Sequence, residues 1–337
     1  MSFNYRKSGA MGVLIPSLIS FFVIIIILKL TNTVITYDVL TSIGVKFVLL
    51  ALSLHLLSWL FGSLRIQLLA FIIGHKISFY LAFKTTLASN FLASLTPSSV
   101  GGEPMRIKML ADNGLSYGSA MAIVLAERLL DSILLLSALV VCFFLKELVP
   151  GLGLKVGAAF LGILILRMIF LGMLIHNPES IKQLINWVRG KTKGGKTLTA
   201  VEKQIWLFRE AVITLAGERI RMPTLFVVTI ILWACEFLIP SVLLVGLGRN
   251  PSLISSITAQ IIVSLISLAP LTPGGSGIAE VSMSYLYSMF VPSYLLGVLV
   301  GLWRLITYFT NLTAGAIFVG AEFDRIVKRC DTLENSD

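Results

Sequence analysis

The chain has 337 residues, 56% of them hydrophobic and 13% charged, with a formal net charge of +10 and a mean hydropathy of +0.92. A soluble domain carries about 25% charged residues, so the composition argues against a soluble fold and places most of the chain in lipid. The excess of Lys and Arg then reads as the cytoplasmic charge of a membrane protein, not as a surface for nucleic acid.

In chain order, Arg6 and Lys7 precede an apolar run with no small-residue cleavage site after Leu30. This predicts a retained first helix, not a secretory signal. A helical span needs about 20 predominantly apolar residues, and the stretches 11–30, 44–64, 118–145, 153–176, 223–248 and 293–321 qualify. Residues 65–78 are too short to span and are expected at the interface. The stretches 79–112 and 253–290 are interrupted by Pro and Gly and predict broken or re-entrant hairpins. Residues 177–222 hold nine basic side chains, Lys191, Lys193 and Lys196 among them, against four acidic ones. They predict a basic cytoplasmic loop near anionic lipid; the Gly-Gly-Lys in it lacks the spacing of a phosphate-binding P-loop. The expected fold is an all-α polytopic membrane protein, a single integral membrane domain over 1–337 with six to eight transmembrane helices.

The two broken stretches repeat each other. Leu92-Ala93-Ser94-Leu95-Thr96-Pro97 and Leu268-Ala269-Pro270-Leu271-Thr272-Pro273 lie 176 positions apart, and each runs into glycines, Gly101-Gly102-Glu103 and Gly274-Gly275-Ser276-Gly277. At the same offset Gly101 matches Gly277 and Arg128 matches Arg304. Apolar segments broken at corresponding places in two halves point to the binding site of a transporter built from repeats; the halves are about 79–145 and 253–321. If each hairpin enters and leaves by one side, the basic residues fall mostly inside and both termini are cytoplasmic. Three full spans then separate the copies, which inverts the second.

Three charges, Glu127, Arg128 and Asp131, sit inside an otherwise apolar helix. Together they cost on the order of 8–10 kcal/mol on the insertion scale, so the helix must give them partners or water. Arg128 and Asp131 are three apart and can pair. Arg304 has no acid on its own helix; Glu236 and Glu280 are the candidates to meet it, or else a lipid phosphate, which suits the guanidinium fork. Arg167 is expected to snorkel to the interface. Glu103 and Glu280 follow the glycines, where a helix dipole favours a carboxylate; the bare amides there bind an anion or are neutralised by their own Glu. Cys142, Cys235 and Cys330 are far apart and His55, His75 and His176 isolated. No disulfide framework, metal site or cofactor is expected, nor a nucleophilic catalytic arrangement, so the chain does not read as an enzyme.

The segments LTPSSVGGEPMRIKML, VLAERLLDSILLL, APLTPGGSGIAE and LWRLITY, in that order, resemble the flippase-like transmembrane region of lysylphosphatidylglycerol synthases and its stand-alone membrane relatives. The likeness covers about 10–325. It implies a carrier that moves lipids between leaflets of the plasma membrane, and it points to Gly101, Gly102, Glu103 and Arg106, to Glu127, Arg128 and Asp131, and to Gly274, Gly275, Gly277, Glu280 and Arg304 as substrate-binding residues, with Pro104 and Pro273 in the same motifs. The sequence stops at Asp337, so the soluble aminoacyl-transfer domain of the synthases is not expected. The substrate need not then be lysyl-phosphatidylglycerol; an isoprenoid-linked phosphate fits as well. The expected partners are membrane lipids, with room for a homo-oligomer or a separate lipid-modifying enzyme. Two other readings stand beside the carrier. One is a membrane-embedded transferase using Glu103 or Glu127 as base, the other a non-transporting partner of such an enzyme. The topology is open to a direct test: cysteines placed in 97–108 should label from the cytoplasmic side and those in 273–280 from outside. Labelling of both from one face would remove the inverted arrangement.

Overall fold

The computed structural model describes residues 21, 22, 25, 26, 28, 29, 43–96, 101–144, 150–179, 195–267, 272 and 274–318, and among these no strand occurs. The helices are α1 (Val45–Ile72), α2 (Phe79–Leu95), α3 (Gly102–Asp112), α4 (Tyr117–Phe144), α5 (Pro150–His176), α6 (Gly195–Gly217), α7 (Met222–Gly246), α8 (Leu253–Ser267), α9 (Ile278–Tyr287) and α10 (Ser293–Arg304). A π-helical turn, Leu305–Phe309, continues α10. Most of the expected first span 11–30 lies outside the described residues, as do Pro97–Val100, Leu268–Leu271, Pro273, Lys191 and Lys193.

Among the described residues, four helices are long and apolar enough to cross a membrane: Val45–Ile72, Gly157–His176, Met222–Gly246 and Ser293–Phe318. Helix α4 is as long as α1 but carries Glu127, Arg128 and Asp131. Large apolar side chains stand exposed along α5, among them Leu166, Met168, Ile169, Phe170 and Met173. A soluble protein rarely leaves so much apolar surface uncovered; lipid covers it at no cost.

Two boundaries differ from the sequence reading. Residues 65–72 do not form a separate segment after the span but are the last two turns of α1. The helix continues through Arg65 because that side chain finds carboxylates, described below. The supposed loop 177–222 contains α6, a helix of 23 residues. The basic residues drew attention there, yet Phe208, Ala211, Val212 and Leu215 recur at helical spacing and supply an apolar stripe.

By its contacts the chain forms two compact units, one of residues 1–59, 83–105 and 234–337, the other of 60–82 and 106–233. In the second unit α4 packs along α6 and against α5. Ala120, Ala122, Ile123 and Leu130 of α4 share a core with Ala211, Val212 and Leu215 of α6 and with Ile66, Leu69 and Ala70 of α1. Small residues let the backbones close: Gly118 donates its amide to Gln204 Oε1 at 3.0 Å. Arg209 of α6 donates to the Leu174 and Ile175 carbonyls at 2.9 and 2.8 Å, which satisfies orphan acceptors at the end of α5. Between α6 and α7, the Ile220 and Arg221 amides and the Arg221 guanidinium all donate to Glu218. These donors, the Arg221 amide foremost, hold its carboxyl below the usual range.

In the first unit α8 packs on α9 and α9 on α10. Polar side chains inside it pair across helices. The Tyr287 hydroxyl donates to the Ser256 carbonyl at 3.1 Å and accepts from Gln260 at 3.2 Å, and Ser241 bonds Ser256 at 2.8 Å.

A Cβ at position 118 would land on the Gln204 carbonyl and 2.6 Å from the Phe208 nitrogen, backbone atoms that cannot rotate away. Gly118→Ala should therefore lower stability by about 1–3 kcal/mol through overpacking, read by thermal unfolding in detergent. An unchanged midpoint would mean that α4 and α6 do not approach this closely.

Candidate functional site

The second unit buries a network of charged side chains from three helices, with an indole from a fourth. Arg65 of α1 holds Asp131 of α4 at 2.6 Å and Glu127, one turn earlier, at 3.3 Å. Arg106 of α3 holds the other oxygen of Glu127 at 2.6 Å, and the Trp233 indole of α7 donates to Asp131 at 2.9 Å. Arg128 reaches Asp131 at 3.6 Å along its own helix, and its side chain is 31% exposed, whereas those of Arg65 and Arg106 are 5% and 9%. Arg167 of α5 does not simply snorkel: it donates to Ser132 Oγ at 2.8 Å and to the Arg128 carbonyl at 3.4 Å.

Glu127 and Asp131 share a face because they are four apart, and that face is the one Arg65 meets. The sequence pointed to Glu127, Arg128 and Asp131, and the resemblance added Arg106. Arg65 and Trp233 escaped. Arg65 gave the same signal as Glu127, a charge inside an unbroken apolar helix, but ending the span at residue 64 hid it.

The first unit holds both helix breaks, and there they touch. The Gly274 amide donates to the Thr96 carbonyl at 3.0 Å, and the Tyr308 hydroxyl donates to the Ser94 carbonyl at 3.3 Å. At the first break Thr96 Oγ1 accepts from the Gly101 amide at 2.8 Å, and Ser89 donates to the Gly102 carbonyl at 3.0 Å. Glu103 lies in the first turn of α3, half-buried. At the second break Gly274, Gly275 and Gly277 have φ of 57°, 66° and 89°, which an L side chain resists. A Cβ on Gly274 would also lie 2.8 Å from the Tyr308 ring.

Glu280 answers how this tip is neutralised. Its carboxylate accepts the Gly277 amide at 2.7 Å and lies 2.9 Å from Arg304 Nε. Arg304 also donates to the Gly275 carbonyl at 3.2 Å and stacks 5.1 Å from the centres of both the Trp303 and the Tyr308 rings. So Glu280, not Glu236, is the acid that meets Arg304. Immediately after Arg304 the helix widens into its π turn, a distortion frequent at functional positions.

Glu236 has another partner. It meets His55 Nδ1 at 2.8 Å, so His55 is not isolated; 181 positions separate the two, and no local motif links them.

The model of the lysylphosphatidylglycerol synthase TM region matches residues 13–315 of the chain. A UPF0104 membrane protein of Archaeoglobus fulgidus is 42% identical over 313 residues, 91% of this chain and 95% of that protein. More distant likeness extends to a UPF0104 membrane protein of Pyrococcus horikoshii, 24% identical over 84% of this chain and 89% of its own. Another, from Methanothermobacter thermautotrophicus, is 25% identical over 76% of this chain and 79% of its own.

Removing one member of a buried ion pair strands the other and costs about 3–5 kcal/mol. Glu127→Leu should show a loss approaching that size in unfolding experiments, since it takes the 2.6 Å contact from Arg106 and one of two carboxylates from Arg65. Replacing the Arg106–Glu127 pair by two methionines should return a good part of it. Equal losses for the single and double variants would mean that the pairing is not what holds these helices.

Proposed function

The chain belongs to the family of the lysylphosphatidylglycerol synthase transmembrane region, and from that membership and the buried charges we propose that it is a flippase-like lipid carrier. It moves a phospholipid or lipid-linked phosphate between the leaflets of the cell membrane, by positioning and exchange and not by covalent chemistry. Six to eight helices cross the membrane, the two broken segments are re-entrant hairpins of an inverted repeat, and both termini face the cytoplasm.

The observation that carries this reading is the grading of contacts around Asp131. That carboxylate is held by Arg65 at 2.6 Å and Trp233 at 2.9 Å, and by Arg128 only at 3.6 Å. Arg128 can therefore turn to a passing phosphate without leaving Asp131 unsatisfied. A guanidinium offers phosphate two parallel donors, and in low dielectric that contact is worth more than in water. The remaining arginines hold the carboxylates in place meanwhile. In the first unit, Gly101, Gly102, Glu103, Gly274, Gly275, Gly277 and Glu280 are the further residues that the family resemblance assigns to the lipid. The lipid tails stay in the bilayer throughout.

If Arg128 takes the phosphate in bidentate fashion, Arg128→Lys keeps the charge and loses the fork. A charge-assisted hydrogen bond contributes about 1.5–3 kcal/mol, so translocation should slow about tenfold or more while the thermal midpoint stays near wild type. The assay is dithionite access to a fluorescent phosphatidylglycerol in proteoliposomes. Wild-type rates in a folded Arg128→Lys protein would remove Arg128 from the lipid path.

A further inference from the structure

The His55–Glu236 pair of the first unit lies outside the residues assigned above to the lipid. His55, Ser58 and Trp59 stand at i, i+3 and i+4 on one face of α1, and Glu236 comes from α7. Three hydrogen-bonding contacts join them: His55 Nδ1 with Glu236 Oε1 at 2.8 Å, Ser58 Oγ with the His55 carbonyl at 2.7 Å, and Ser58 Oγ with the same Glu236 oxygen. With a neutral imidazole and an ionised carboxylate, only two protons are available for three contacts, because a serine hydroxyl has one to give. A proton on Oε1 completes the set. The carboxyl then donates to Ser58, Ser58 to the His55 carbonyl, and Nδ1–H to the carboxyl oxygen.

The alternative, a proton on the imidazole, is disfavoured by its surroundings. His55 is 2% exposed, its Nε2 has no hydrogen-bond partner, and the Trp59 ring stands 5.1 Å away, edge-on. A neutral ring leaves only a lone pair there, whereas an imidazolium would bury an unmatched N–H. The carboxyl is better placed to exchange, since the Glu236 side chain is 25% exposed against 3% for His55. Four residues further along α7 stands Pro240, which has no amide to bond the Glu236 carbonyl. The helix is thus loosened at the residue that carries the acid. The neighbouring titratable group on α7 is Cys235, a free thiol.

We infer that Glu236, oriented by His55 and Ser58, is a proton-binding site, and that the carrier moves a proton as its second substrate. Intramembrane carboxylate–histidine pairs are suited to such relays. Oε1 takes a proton from water while its opening faces one side and releases it to water on the other; no other bond is made or broken. The coupling rests on the carrier reading, whereas the proton site stands without it.

Two measurements separate them. Infrared difference spectra of the purified protein, recorded over a pH series, should show a carboxyl C=O band that is lost in Glu236→Gln. In Ser58→Ala, which keeps the carboxyl and the imidazole, the band should persist at a shifted frequency. A wild-type band set that Glu236→Gln leaves unchanged overturns the site. In the second measurement, proteoliposomes of phosphatidylethanolamine and phosphatidylglycerol carry a fluorescent phosphatidylglycerol, with and without an imposed pH gradient. The gradient should change the wild-type rate severalfold and leave the Glu236→Gln rate unaltered. Wild-type translocation that ignores the gradient overturns the coupling but not the carrier. A titrating Glu236 band in a protein that moves none of the probe upholds the proton site and counts against the carrier.

Discussion

A fully buried guanidinium in the apolar part of a helix bundle is costly unless paired charges hold it, and Arg65 is the residue at which this constraint is met. One side chain from α1 binds both Asp131 and Glu127, carboxylates spaced so that a single cation can serve the two. Much of the second unit follows. Helix α4 can carry three charges because two of them are answered from α1. Helix α1 can run on to Ile72 because its arginine needs no water. Helix α3, short and polar for a helix in such surroundings, is tied in by Arg106 on the remaining oxygen of Glu127. The apolar core of Ile66, Leu69, Ile123 and Leu130 gives this unit its bulk. It is non-directional, however, and would tolerate rotations of α4 that the ion pairs forbid.

The backbone meets the same constraint at the breaks. Where a helix stops in surroundings without water, its amides and carbonyls must find each other or a side chain. The first unit solves this by bringing its two interrupted segments into contact, Gly274 to Thr96, with Thr96 itself closing onto Gly101 and Tyr308 reaching Ser94. The glycines serve a close approach, since position 274 has no room for a Cβ and a φ that side chains resist. The Thr96 hydroxyl accepts from the Gly101 amide and donates to the Leu92 carbonyl, which a valine of the same shape cannot do.

This explains what could be read from the sequence and what could not. Charges inside apolar runs, and Pro and Gly repeated at one offset, are local signals; they gave Glu127, Arg128, Asp131, Glu280, Arg304 and the glycines directly. Partners are not local. Arg65 lies 66 positions from Asp131, and His55 lies still further from Glu236, so only the fold can bring them together. Span ends were misread for a related reason. A charge was treated as the end of a helix, whereas a paired charge ends nothing. In residues 195–217 the basic side chains outweighed a weaker apolar period that becomes decisive once α4 is there to receive it.

The contacts of these ion pairs differ in what their loss would cost. Each carboxylate at these sites has more than one donor. Glu127 has Arg65 and Arg106, Asp131 has Arg65 and Trp233 besides Arg128, and Glu280 has the Gly277 amide as well as Arg304. Taking one donor away leaves a carboxylate that is still charged and still held, so the cost is that of a single contact and not of an orphaned ion, which would be several kcal/mol. A carrier needs this property, because it must release a cation to its substrate and take it back without unfolding its own interior. A network in which every charge had one partner would be as stable at rest, but each exchange would strand an ion in low dielectric. Redundant pairing makes a structural ion cluster usable as a binding site, and the donor that leaves at least cost is the one whose contact is longest and whose side chain is most exposed.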